Sequence, residues 1–258
     1  AEAVNLTSCY LAKQLGAKKT IARISNPELK ENDNIDFSEL GISELISPEI
    51  LTSKEINMAI NRAEFTDPFE FEGGALITLG LSATHTSTFV GKTVVEAAEI
   101  FPETHFFPIS IKRDEKTIIP RGDTVFHSGD HIVFMTEPGG EEELLKLSGQ
   151  NNGVIKNVMI LGGGRVGKKV AQDLSSNNFN VKLVEIDKDR AEELAEDLEN
   201  CLVIYGDGTN TELLDEESLD QMDSFIAVTG DSEDNIMSSL IAKSKGINKT
   251  IAFVDNLD

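Results

Sequence analysis

From residue 154 onward, apolar runs of strand length alternate with polar stretches of helical spacing. The runs at 157–161, 181–186, 201–205, 224–229 and 250–254 are rich in aliphatic and β-branched residues and read as short strands. Between them, 165–174 places Val166, Val170, Ala171 and Leu174 on one helical face, and 187–198 does the same with Ala191, Leu194, Ala195 and Leu198. A short acidic helix carries 213–219, and 233–245 is the last helix. Strands alternating with helices through short links predict an α/β fold of Rossmann-like type, a doubly wound parallel sheet with helices on both faces. Right-handed crossovers bring all strand C-termini to one edge, where ligands bind.

The chain also repeats itself. Residues 2–24 (EAVNLTSCYLAKQLGAKKTIARI) align without a gap on 232–254 (SEDNIMSSLIAKSKGINKTIAFV), an offset of 230. Asn5 falls on Asn235, Ser8 on Ser238, Ala12-Lys13 on Ala242-Lys243 and Gly16 on Gly246, and 19–22 match 249–252. Each copy reads as a helix, a glycine stop and a strand. In the second copy these close the βαβ series, whereas in the first they open the chain. A helix and one strand cannot bury their apolar faces alone. The repeat therefore predicts that 1–35 is the C-terminal remnant of a first copy of the same domain, lacking its N-terminal part.

The segment 36–62 reads as a connector in which Pro48 precedes a helical run over 49–62. Residues 63–148 read as a small α+β module, with strands at 70–79, 105–111 and 131–136 and helices at 93–101 and 141–147. The second complete domain occupies 154–258.

Charge narrows the possible partners. The formal net charge of -22 repels phosphate backbones and anionic lipid, which argues against nucleic acid and against direct membrane contact. No apolar run is long enough to cross a bilayer, and the first residues lack the basic start and apolar centre of a signal peptide. Two distant cysteines, Cys9 and Cys201, fit a reducing, cytoplasmic compartment. His127 and His131 are separated by the turn at 128–130, so no metal site is expected, and no Ser-His-Asp or Cys-His set emerges from spacing.

The chemistry concentrates at Gly162-Gly163-Gly164-Arg165-Val166-Gly167, a G-x-G-x-x-G loop that follows a strand and opens a helix. Gly162 permits the turn, Gly164 lets the backbone approach a pyrophosphate, and Gly167 lets the helix pack on the strand. The helix N-terminus offers free N–H groups and partial positive charge to phosphates. Glu185, at the end of the second strand, is placed to accept hydrogen bonds from ribose hydroxyls and to repel a 2′-phosphate, which favours NAD over NADP. Asp207 and Thr209 after the third strand, and Thr229 and Asp231 after the fourth, either complete the pocket or serve as turn and N-cap residues.

The runs NVMILGGGRVGKKVAQDL, VKLVEID, VIYGDGTNTELL and FIAVTGDSEDNIMSSLIAK together resemble the TrkA family of potassium-uptake regulators, built from domains that regulate potassium conductance (RCK domains). The first segment resembles the end of another such domain, and the middle the small C-terminal RCK module. The resemblance implies a non-catalytic cytoplasmic regulatory subunit. Such a subunit forms a homo-oligomer, a dimer or ring, on the inner face of the plasma membrane through a potassium-translocating membrane protein. The implied cofactor is NAD or NADH, with ATP and ADP as the alternative. One departure stands out: Arg23, of the kind the first repeat offers to phosphates, has Phe253 as its counterpart, which counts against tight triphosphate binding in the second repeat. An NAD-dependent oxidoreductase of unknown substrate and a scaffold with a vestigial site are the competing readings.

Overall fold

The computed structural model describes residues 2–26, 29, 35–63, 65–100, 106–149 and 155–254. The chain divides into two compact units, one formed by residues 1–60 together with 155–258 and the other by 61–154.

The first unit opens with helix α1 (Glu2–Gln14) and strand β1 (Ile21–Arg23), which pairs in parallel with β2 (Glu44–Ile46), Ile21 opposite Glu44. Ala22, Ile24, Ile42 and Leu45 form a small buried core against which Leu6, Cys9 and Phe37 pack. Helix α2 (Pro48–Asn61) begins with proline at its first position, and the Ser47 hydroxyl accepts from the Ile50 N–H at 3.3 Å. Proline has no N–H to leave unsatisfied there, and the serine satisfies another, so Ser47-Pro48 is a strong helix start.

The second unit contains β3 (Thr66–Phe71), β4 (Leu76–Ser82), α3 (Val94–Ile100), β5 (Phe106–Arg113), β6 (Lys116–Ile118), β7 (His131–Thr136) and α4 (Glu141–Ser148). Its sheet has the antiparallel order β3-β4-β7-β5-β6. The expected strand at 70–79 is a hairpin instead. Glu72–Gly74 turns the chain, with Gly73 at φ 68, and β3 pairs back on β4. The expected strand runs across Gly73-Gly74, a pair that adopts left-handed backbone freely and turns the chain. Strand β6 was not expected from the pattern. Residues 101 and 105, the expected end of one helix and start of one strand, lie outside the described residues. Asp130, buried under the β7 end, takes a bidentate ion pair from Arg113 at 2.7 Å for each contact and a hydrogen bond from the His127 N–H.

The first unit continues with β8 (Asn157–Leu161), α5 (Arg165–Ser176), β9 (Asn180–Glu185), α6 (Lys188–Asp197), β10 (Cys201–Tyr205), α7 (Thr211–Glu216), β11 (Ser224–Ala227), α8 (Ser232–Ser244) and β12 (Lys249–Ala252). All five strands are parallel, in the order β10-β9-β8-β11-β12. The chain steps from β8 through β9 to β10 in one direction, then returns to lay β11 and β12 on the other side. This puts a topological switch point between β8 and β11, and it is there that open α/β sheets form a ligand crevice. Met159, Ile160, Leu183, Phe225, Ile226 and Ala227 are fully buried in this sheet. The acidic segment at 213–219 is helical only over Thr211–Glu216, and a separate 3₁₀ turn follows at Leu219–Gln221. On α5 the buried face is Gly167, Val170, Ala171 and Leu174. Val166 is only half-buried, so the buried stripe begins one residue later than its pattern suggests.

The repeat is structural as well as sequential. Helices α1 and α8 share the offset of 230 at both ends. Asn5 Nδ2 donates to the Arg23 carbonyl at 2.9 Å, and Asn235 Nδ2 donates to the Phe253 carbonyl at 2.9 Å. Cys9 Sγ donates to Ile21 O at 3.2 Å, and Ser239 Oγ donates to Ile251 O at 3.3 Å.

Candidate functional site

The loop between β8 and α5 sits at the switch point, and each of its glycines answers a separate steric demand. Gly162 has φ 102, and its N–H donates to the Val184 carbonyl at 2.9 Å. A Cβ there would stand 3.0 Å from the Thr229 backbone, so the turn requires glycine on two counts. At Gly163 a Cβ would collide with Leu194 and reach 2.8 Å from Glu185 Oε2. At Gly167 it would run into the Gly162 carbonyl oxygen, so this glycine sets how closely α5 lies on the loop. Gly164 differs: its backbone is extended, φ -62 and ψ -173, and a Cβ would meet nothing within 4 Å. It is the N-cap of α5, with no side chain capping the helix and no acid in its first turn. The first N–H groups of α5 are left for an external acceptor, the arrangement that binds phosphate.

An open cleft of about 460 Å³, within the range of small-molecule sites, lies in front of this loop. Of the expected residues, Gly162, Gly164, Glu185, Asp207, Thr209 and Thr229 line it. Gly163, Arg165, Val166 and Gly167 do not; they shape the loop from behind or face elsewhere. Arg165 is 60% exposed and lies 4.0 Å from Glu49 at the start of α2.

Glu185 is held by the loop it faces. Its Oε2 accepts from the Gly163 N–H at 2.7 Å and its Oε1 from the Asp187 N–H at 2.9 Å. Each carboxylate oxygen keeps a further acceptor direction, so a ribose hydroxyl can still be received. Asp207 Oδ1 accepts from the Thr209 N–H at 2.9 Å and hydroxyl at 2.7 Å. These bonds hold its carboxyl below the usual aspartate range, the backbone bond first. Asp207 and Thr209 thus form a turn that also borders the cleft. Asp231 is the N-cap of α8, accepting from the N–H groups of Glu233 and Asp234 at 2.9 and 3.0 Å.

The pattern did not single out two contributors. Asn235, fully buried, accepts from the Thr229 N–H at 2.9 Å and hydroxyl at 2.8 Å, and donates to the Phe253 carbonyl. It fixes the loop after β11, and its recurrence as Asn5 in the repeat was the available signal. Arg190, in the first turn of α6, donates from Nε to the Gly163 carbonyl at 3.3 Å. No long-range sequence pattern announces that contact.

Glu185, Asp207, Asp231 and Asp234 give the cleft four carboxylates, and no lysine or arginine is among its described lining residues. Burial pushes the Cys201 thiol up to about 11, which leaves it a poor nucleophile. Among the described residues, no group of three or more His, Cys, Asp or Glu could hold a metal ion, and no helix is long and apolar enough to cross a membrane.

The TrkA-N domain family matches residues 158–258 and the TrkA-C domain family residues 81–149. The chain is 32% identical over 263 residues to Trk system potassium uptake protein TrkA homolog 2 of Methanosarcina mazei, covering 99% of this chain and 58% of that protein. It is 34% identical over 260 residues to Trk system potassium uptake protein TrkA of Haemophilus influenzae, covering 98% of this chain and 56% of that one. The chain thus spans less than two thirds of the length of these relatives. The solved structure of the GsuK channel bound to NAD has the same fold over 97% of this chain and 47% of its own, with a TM-score of 0.60 at 18% identity. With both domains matched, and with this likeness running along nearly its whole length, the chain belongs to the TrkA family.

Proposed function

We propose that this chain is the nucleotide-sensing part of a cytoplasmic regulator that gates a potassium-uptake membrane protein, and that its ligand is NAD or NADH. The observation that carries the reading is the uncapped N-terminus of α5 behind Gly164, opening on a cleft whose far side presents the anchored Glu185 carboxylate. The pyrophosphate would lie against Gly164 and the first turn of α5, and Glu185 would receive the adenosine ribose. Thr229 and the Asp207–Thr209 turn would close the two ends. Site charge favours the dinucleotide over ATP. Four carboxylates without a lining cation oppose a triphosphate more strongly than a pyrophosphate bearing two charges. We assign residues 1–35 to the end of a first RCK nucleotide domain, 63–148 to an RCK C-terminal-type module and 154–258 to the second nucleotide domain; within the expected connector 36–62, β2 and Ile42 complete the core of the first segment, so the connector narrows to the helix at 47–62. The chain would work as a homo-oligomer at the inner face of the membrane, without catalysis.

Gating requires that the nucleotide prefer one arrangement of the assembly. Arg165 supplies a route. It leaves the α5 N-terminus toward Glu49 of α2, and Asn57 of α2 donates to Asp173 of α5 at 2.8 Å. A pyrophosphate arriving at α5 offers Arg165 a second anionic partner and so biases its pairing with α2. The test is calorimetric titration with NAD and NADH, paired with a hydride-transfer screen against carbonyl compounds. Saturable binding without turnover supports the reading; turnover would favour the dehydrogenase.

A further inference from the structure

We propose that Asn235 fixes the hydrogen-bond polarity of one end of the cleft by making the Thr229 hydroxyl an acceptor, so that the site takes a nucleoside diphosphate with a hydroxyl-bearing group beyond its pyrophosphate rather than a third phosphate. The inference rests on the nucleotide reading above. Asn235 is fully buried, and each hydrogen-bonding position of its amide is used. Its Oδ1 accepts from the Thr229 N–H at 2.9 Å and hydroxyl at 2.8 Å, and its Nδ2 donates to the carbonyls of Thr229 at 3.1 Å and Phe253 at 2.9 Å. A backbone N–H only donates and a carbonyl only accepts, so the amide cannot be turned over. The same logic commits the Thr229 proton. The Asp231 carbonyl also lies within its reach, at 3.2 Å, but a proton sent there would leave Thr229 Oγ1 and Asn235 Oδ1 as two bare oxygens facing each other at 2.8 Å. A hydroxyl has one donor and two acceptor directions. The Asp231 N–H, donating to Thr229 Oγ1 at 3.1 Å, takes one of the acceptor directions. A single lone pair remains for a ligand.

Thr229 lines the cleft on the β11 side of the glycine loop, and Glu185 lines it on the β9 side. A ligand with its adenosine ribose on Glu185 and its pyrophosphate at Gly164 therefore brings whatever follows the pyrophosphate to Thr229. The other side chains lining that end are Asp231 and Asp234, and ionised carboxylates only accept. A terminal phosphate there sets acceptors against acceptors with no proton to share. A sugar hydroxyl brings the donor that these side chains lack. The preference is one of hydrogen-bond sign, and it acts in addition to the charge of the cleft.

The experiment measures dissociation constants for ADP-ribose, ADP and ATP by calorimetry, without divalent cations, for the native chain, Thr229→Val and Asn235→Ala. The native chain should bind ADP-ribose more tightly than ADP, and ATP no more tightly than ADP. Thr229→Val keeps the size and charge of the site and removes the lone pair. It should weaken ADP-ribose by about fivefold relative to ADP, the scale of one neutral hydrogen bond, and leave the ratio of ATP to ADP affinity as it was. Asn235→Ala frees the Thr229 proton to face the ligand, so ATP should gain on ADP-ribose even as the fold loses stability; a purely structural role would weaken all three ligands alike. Unchanged ADP-ribose affinity in Thr229→Val, or ATP bound more tightly than ADP by the native chain, would overturn this proposal, and ADP binding would leave the nucleotide reading standing. If the native chain binds none of NADH, ADP-ribose, ADP and ATP, the nucleotide reading fails and takes the proposal with it.

Discussion

Of the four glycines within six residues of the loop, three leave no room for a Cβ and Gly164 leaves open space, so substitutions there separate stability from binding. Gly167→Ala puts a methyl group into the Gly162 carbonyl, a backbone atom that cannot swing aside. It should destabilise the chain by about 1–3 kcal/mol, the range of an overpacked core, seen as a lower denaturant midpoint. Gly164→Val places its side chain in open space at a φ that any residue adopts. It should melt as the native chain does while blocking the approach of a pyrophosphate. Asp207 adds a pH signature. Its folded pKa lies below the ordinary aspartate value, so its stabilisation is full above about pH 4 and is lost as pH falls through the depressed value. Asp207→Asn should therefore lose less stability between pH 5 and pH 2 than the native chain does, in parallel urea titrations. The turn at the glycines and the place of Glu185 at the strand end were legible because backbone geometry restricts the residue types there. That Glu185 also braces Gly163, and that Arg190 reaches the same peptide, were not, because side-chain contacts across a loop leave no periodic trace.

At the scale of elements, the helix–strand pair α1–β1 and its copy α8–β12 each use an asparagine to fasten the helix to the end of the strand that follows. In the second copy the asparagine is fully buried and also serves Thr229. Asn235→Ala should cost about 1–3 kcal/mol, because it strands a buried N–H and a carbonyl. Asn5→Ala, at a more exposed position, should cost less. Comparing the two urea midpoints checks the ranking; an equal or reversed order would contradict it. Strand and helix order in the second repeat could be read from the apolar pattern because a parallel sheet buried on both faces writes continuous apolar runs. The hairpin at Glu72–Gly74 is announced by Gly73-Gly74, a turn-forming pair that the strand expected at 70–79 runs across. Short β6, three residues long, carries too little pattern to register.

For the whole molecule, the account joins one ligand site to a change in assembly. A ligand that binds two arrangements equally shifts neither, however tightly it is held. Small-angle scattering of the chain saturated with NAD+, NADH, ADP or ATP should give profiles that differ among ligands, and identical profiles would remove the gating step while leaving binding in place. The Arg165–Glu49 contact, 4.0 Å long and mostly exposed on the arginine, contributes little to stability. Glu49→Gln should accordingly leave the melting temperature nearly unchanged but reduce the difference between ligand-bound profiles. The central claim is that a dinucleotide binds at the α5 N-terminus, and calorimetric titration of NADH into the native chain and into Gly164→Val tests it most directly. The account predicts one saturable site per chain in the native protein and none in the variant at unchanged melting temperature, whereas equal affinity in both, or no binding in either, would contradict it.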